Sequence, residues 1–127
     1  MHDTCPCGTG LDYKLCCGRY IEAGKPAPTA EALMRSRYTA YVRQNTPYLR
    51  STWYPSTCPA VLDLSDNQQW LGLKIIDTEA GNADDKSGQV EFIARYKING
   101  RAAKLHERSE FVQINGRWLY VGALVGG

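Results

Sequence analysis

Val90-Glu91-Phe92-Ile93-Ala94-Arg95-Tyr96-Lys97-Ile98-Asn99-Gly100 decides the fold of this 127-residue chain. Val90, Phe92, Ala94, Tyr96 and Ile98 alternate with Glu91, Ile93, Arg95 and Lys97, and a period of two is that of a half-buried strand. Asn99-Gly100 is the dipeptide of a type I′ hairpin, whose two central residues both need positive φ. It predicts a partner strand over 103–114. A second pair, Asn115-Gly116, turns the chain again into 118–123. Upstream, Leu73-Lys74-Ile75-Ile76-Asp77 is a fourth strand candidate, set apart by the polar loop from Gly81 to Gly88. Four strands joined this way form an antiparallel meander.

Before residue 72 the period becomes helical. Ala30, Leu33, Met34, Tyr38, Tyr41 and Val42 recur at helical steps and predict a helix over 30–45, capped by Thr29 and ended by Pro47. A shorter helix is expected over 48–54, stopped by Pro55. A third is expected from near Leu64, capped by Asp63 or Ser65, to Gly72. Helices followed by a meander make an α+β layout, with the helices covering one face of a curved antiparallel sheet of about four strands.

The first two dozen residues belong to neither part. Cys5-Pro-Cys7 and Cys16-Cys17 put four of five cysteines within thirteen residues, a crowding that no packed core demands. Four soft thiolates in a tetrahedron suit Zn²⁺, and a segment too short for its own core would fold on the metal. Two disulfides, a redox pair and an iron–sulfur cluster are the competing readings. A chain starting Met1-His2-Asp3, with no apolar leader, is expected in the reducing cytoplasm, where structural disulfides are rare. Redox pairs are usually C-x-x-C, whereas Cys₄ sets also serve iron–sulfur clusters. Gly24-Lys25-Pro26-Ala27-Pro28 reads as a linker, dividing a metal hook over 1–24 from a domain over 25–127.

Composition is that of an ordinary globular protein, with 43% hydrophobic and 22% charged residues, and no membrane-spanning stretch is present. A net charge of +2 leaves little electrostatic footprint for nucleic acid. Its basic excess lies in the first 50 residues, seven Lys/Arg against four Asp/Glu. A Zn(Cys)₄ centre is formally dianionic, so Lys14, Arg19 and Lys25 would serve to neutralise it.

Cys5-Pro-Cys7-Gly8-Thr9-Gly10, Tyr13-Lys14 and Cys16-Cys17-Gly18 resemble the SEC-C motif, a zinc hook known from the tail of the bacterial preprotein translocase motor. The likeness covers roughly residues 4–19. It implies that Cys5, Cys7, Cys16 and Cys17 each donate a thiolate, with Cys17 where some members have His. In the translocase the hook docks on a chaperone, so the resemblance implies a protein partner. Leu33-Met34-Arg35-Ser36-Arg37-Tyr38, Thr52-Trp53, Trp70-Leu71-Gly72-Leu73, His106-Glu107-Arg108-Ser109 and Gly116-Arg117-Trp118 resemble the YchJ family. That resemblance implies the nuclear transport factor 2-like cone, the fold of ketosteroid isomerase, and no particular reaction. Many relatives carry a second cysteine hook after the last strand, which these 127 residues lack.

Within the domain, Arg37 falls in the apolar stripe of its helix, so its permanent charge needs a carboxylate or a bound anion. Glu107 and Glu110 are the expected internal partners. The alternative places Arg37 in the cone's cavity, on an acidic small molecule. Alternation puts Glu107, Ser109 and Phe111 on the inward face and His106 and Arg108 on the other. Tyr38, Trp53 and Trp70, with Tyr41, are expected either to wall a cavity or to fill the cone. Cys58, beside Pro59, is read as a packing residue.

The leading reading is a structural-zinc protein whose hook contacts another protein and whose cone is either scaffold or a second binding site, in which a small molecule would meet Arg37, Tyr38, Trp53, Trp70, Glu107 and Ser109. The second is a small-molecule enzyme of isomerase, dehydratase or hydrolase type, with Arg37 and Glu107 as polar anchors. Nucleic-acid binding is the weakest, resting only on the local basic excess.

Overall fold

The computed structural model of the chain describes residues 3–62 and 68–124. Helices α1 (Gly18–Ile21), α2 (Ala30–Val42) and α3 (Thr46–Ser51) precede strands β1 (Gln68–Ala80), β2 (Ser87–Ile98), β3 (Arg101–Ile114) and β4 (Arg117–Ala123). The strands form one antiparallel sheet in the order β1-β2-β3-β4. Both Asn-Gly pairs adopt positive φ at each residue, 52° and 79° at Asn99-Gly100 and 53° and 78° at Asn115-Gly116, as type I′ turns require.

The helices differ from expectation at their ends. Thr29 caps α2, its Oγ1 accepting from the Ala32 amide at 3.0 Å. The helix stops at Val42, before Pro47 is reached. Gln44 turns left-handed, and the amides of Gln44 and Asn45 close back on the carbonyls of Tyr41 and Ala40, a Schellman closure. Asn45 then caps α3 by accepting from the Tyr48 amide, and Pro47 sits in its first turn, where its missing N–H costs nothing. So Pro47 starts a helix instead of ending one.

The third expected helix is corrected. Gln68–Gly72 belongs to β1, with Trp70 opposite Tyr96, and the earlier part of that segment, 63–67, lies outside the described residues. The apolar spacing at Trp70, Leu71 and Leu73 fits either period, and strand pairing decides it.

β2 and β3 pair without a register break, Phe92 opposite Glu107 and Val90 opposite Ser109. Val90, Phe92, Ala94, Ser109 and Phe111 are therefore buried on one face, while His106 and Arg108 stand on the other. The β1–β2 connection seats the start of α2. The Gly81 carbonyl accepts from the Ala30 amide at 3.0 Å. A Cβ on Gly88 would lie 2.4 Å from the Gly81 Cα, so this crossing admits only glycine.

Gly24 to Pro28 carries no helix or strand, yet Ala27 is buried and the hook packs directly on α2. Cys5, Cys7, Cys16 and Cys17 join one continuous buried cluster with Leu33, Met34 and Phe92. Among the described residues no helix is long and apolar enough to cross a membrane.

Candidate metal centre and cavity

The two cysteine pairs are brought together by two local devices. A bridge between Thr4 and Asp12, with the Cys5 amide donating to the Leu11 carbonyl at 2.8 Å, folds residues 4–12 into a finger carrying Cys5 and Cys7. A 3₁₀ turn at Tyr13–Leu15 leads into α1, and the Cys16 and Cys17 carbonyls accept its first amides, which places both sulfurs beside the finger. All four Sγ atoms lie within 4.8 Å of one another, and all four residues are buried. Zinc–thiolate bonds of about 2.3 Å put the sulfurs about 3.8 Å apart along a tetrahedron's edges. The donor set and its spacing therefore fit one tetrahedral metal ion. Donation from the Cys17 and Cys7 thiols pulls Cys5 far below the usual thiol range, and that same partner, Cys5, with Cys7 and burial, pushes Cys17 far above it. Four thiolates can coexist there only around a positive ion.

Threonine hydroxyls sit on both sulfur pairs. Thr9, exposed, has its Oγ1 3.1 Å from the Cys16 sulfur and 3.7 Å from that of Cys7. Thr39, fully buried on α2, donates to the Cys17 sulfur at 3.4 Å and lies 3.6 Å from that of Cys5. Basic groups surround the loop, though they are not all those expected. Arg19 donates to the Cys16 carbonyl, whereas Lys14 and Lys25 are exposed. The other two cations come from α2 and the residue that caps it. Arg35 donates to the Cys7 carbonyl at 2.7 Å, and Arg43 pairs with Asp3 and stacks on the Tyr13 ring.

On the opposite side of α2 a cavity of about 570 Å³ opens toward the sheet. Its size is ordinary for a small-molecule site, roughly 300–1,000 Å³. Arg37, Tyr38, Trp70, Glu107 and Ser109 all line it, together with Tyr41 and Tyr120. Trp53 does not line it; it stacks behind Arg37, 4.8 Å from the guanidinium carbon to the ring centre. Aromatic contacts build the walls: Trp70 meets Tyr38 edge-on and lies against Tyr41 and Tyr96.

Arg37 is 2% exposed, and the expected ion pair with Glu107 or Glu110 does not form. Its Nη1 donates to the Leu49 carbonyl at 2.8 Å and to Thr52 Oγ1 at 2.7 Å. The charge rests against the Trp53 and Tyr120 rings. Among the described residues it has no carboxylate partner, and burial pulls its pKa down, although a guanidinium stays charged regardless. Glu107 is occupied elsewhere: Ser109 Oγ donates to its Oε2, and so does the Tyr120 hydroxyl at 3.2 Å. The reason is reach. Tyr120 lies between Arg37 and Glu107, its ring against the Arg37 guanidinium and its hydroxyl on Glu107.

Burial, then the Glu107 charge, raises the Tyr120 phenol, and burial raises Tyr38 to about 12, so both remain neutral donors near pH 7. Tyr120 is one of the cavity residues outside the expected set. Its signal was its alternation with Trp118, which is buried, and the structure sets it opposite Phe111. His106 is exposed on the outer face, 2.6 Å from Glu91, beside Arg108 with Asp77 and Glu79. Cys58 is half-buried near Arg50, away from the other thiols.

Comparison with known proteins agrees with this geometry. Residues 3–19 match the SEC-C motif and residues 29–123 match the family described as the YchJ middle NTF2-like domain. A UPF0225 protein of Cupriavidus pinatubonensis is 51% identical, covering 96% of this chain and 89% of that one. Another, from Chromobacterium violaceum, is 49% identical over 95% and 92%. The solution structure of a SEC-C motif containing protein from Rhodopseudomonas palustris superimposes over the full length of both chains, with a TM-score of 0.85 and 31% identity. The crystal structure of a SEC-C motif containing protein from Psychrobacter arcticus gives 0.78 and 30%, over 98% of this chain and 83% of that one.

Proposed function

The chain belongs to the UPF0225 family, joining a SEC-C motif to a YchJ-type NTF2-like domain, and on that premise we propose that it is a zinc-stabilised small-molecule-binding protein. The zinc is structural: four protein thiolates close its coordination shell and leave no position for water or substrate. Binding takes place in the cavity beneath α2. The observation that carries this reading is Arg37, a buried cation that lines a 570 Å³ space and has no carboxylate partner among the described residues. The same cavity is lined by the Glu107 carboxylate and by the Ser109 and Tyr120 hydroxyls that donate to it. The complementary ligand carries a carboxylate, phosphate or carbonyl for Arg37, a donor for Glu107, and an apolar body for Trp70 and Tyr41. Thermal-shift titration of the metal-loaded protein with small carboxylates and phosphates should find a stabilising ligand that Arg37→Ala no longer binds. A panel that stabilises neither protein, or both equally, overturns the assignment. Isomerase, dehydratase or hydrolase chemistry would run on Glu107 and the tyrosines alone, because His106 faces away from the cavity.

A protein partner at the hook is the second reading, favoured by Leu11 and Leu15. These are 49% and 64% exposed on the motif's outer side, where apolar side chains gain nothing from the fold. Changing both to Ser, with the cysteines untouched, should abolish a stoichiometric complex in cells without altering metal content. A complex that survives this change does not use that surface.

A further inference from the structure

We propose that Thr39, which lies twenty residues beyond the cysteine motif, is an outer-shell ligand of the metal centre, so that metal retention is a property of the whole chain. The inference rests on metal binding by the four cysteines. Thr39 is 0% exposed, and among the described residues its Oγ1 has two partners, both sulfurs: Cys17 at 3.4 Å and Cys5 at 3.6 Å. A buried hydroxyl costs free energy unless it finds a good acceptor, and a neutral thiol is a poor one. A metal-bound thiolate carries charge and accepts strongly. The hydroxyl is thus better satisfied when Cys5 and Cys17 are ligated, and it in turn stabilises charge on sulfurs that are themselves buried.

Placement supports the role. The hydroxyls of Thr9 and Thr39 divide the cluster, Thr9 taking the Cys7–Cys16 pair and Thr39 the Cys5–Cys17 pair. Thr9 is exposed and water can replace it; nothing can replace Thr39. Arg35, one turn earlier on α2, adds the second anchor through the Cys7 carbonyl. Thr39 is a positioning residue: it touches the ligand atoms and leaves the metal's own shell unchanged.

The test uses the full chain loaded with Zn²⁺ or, for spectroscopy, Co²⁺. The purified wild type must first hold one metal ion per chain; failure there removes the metal reading itself, and with it this inference. Competition with a chromophoric chelator then compares variants. Thr39→Val should weaken metal binding by about 10–100-fold, the usual effect of removing an outer-shell partner. Thr39→Ser, which keeps the hydroxyl, should stay close to wild type, and Thr9→Val should change binding no more than about threefold because water takes its place. The thiolate-to-cobalt charge-transfer band should shift in Thr39→Val and not in Thr39→Ser. Should Thr39→Val not accumulate folded, Thr39→Ala carries the same comparison in a smaller side chain. Wild-type metal affinity in the hydroxyl-free variant, or equal weakening in Thr39→Ser, overturns the proposal.

Discussion

The two faces of α2 pose opposite problems. Toward the hook, Arg35 holds the Cys7 carbonyl and Thr39 two of four sulfurs that lie within 4.8 Å of one another, and nothing is left open. Toward the sheet, Arg37, Tyr38 and Tyr41 border a space of about 570 Å³ across which the polar groups stand apart. A converging set of like donors stores folding energy, released when a single ion binds. A dispersed set around a void stores recognition, because its groups are held by the scaffold and not by one another. Damage to the first face should therefore unfold the protein, and damage to the second should spare the fold and cost binding.

The strongest way to break that contrast is to remove the metal. Cys17→Ser, or chelation of the wild type, should lower the unfolding free energy by more than about 4 kcal/mol, since loss of a metal site is among the few single changes of that size. Denaturant titration followed by tryptophan fluorescence measures it. An unchanged midpoint would show the hook to be a mere appendage, contrary to its place in the common core.

Arg37→Ala should cost less, about 2 kcal/mol, because the Leu49 carbonyl and Thr52 hydroxyl lose a charged donor. It should abolish ligand binding while leaving metal content intact. Arg37→Lys should not rescue, since an ammonium cannot lie flat against the Trp53 and Tyr120 rings. Tyr120→Phe should change stability by no more than about 1 kcal/mol, removing one hydroxyl from Glu107, and should still weaken ligand binding measurably by calorimetry.

The smallest effect is on the pH profile. Burial raises the phenols of Tyr38 and Tyr48 from 10 to about 12. The folded state thus holds protons that the unfolded chain releases. Their contribution to stability is complete below pH 10 and is lost as pH climbs toward 12. Melting temperatures recorded between pH 9 and 12 should fall across that window, and Tyr48→Phe should flatten part of the slope. A wild-type profile already flat there would place these rings in water.

Much of this was legible in the sequence because it is local. The alternation from Val90 to Ile98 and the two Asn-Gly pairs encode strand, turn and register within a few residues, and the structure reproduces them. The segment up to Gly72 was misread because Trp70 fits both periods, and only its pairing with Tyr96 selects the strand. Pro47 was misread for a similar reason, since proline stops one helix and starts another with equal ease.

By itself, then, the sequence determined the α+β order of elements, the four converging thiols and the inward side of β3. These follow from short-range chemistry: alternation, turn dihedrals and ligand type. Tertiary structure alone decided that the hook lies in the same core as α2, that Arg37 pairs with a carbonyl, a hydroxyl and two rings instead of Glu107, and that Thr39 reaches the sulfurs. Such contacts join residues far apart in the chain, 34 positions for Cys5 and Thr39 and more for Arg37 and Tyr120. No local pattern specifies them; they arise when a helix packs on a sheet and must satisfy, from whatever lies within reach, every polar group it buries.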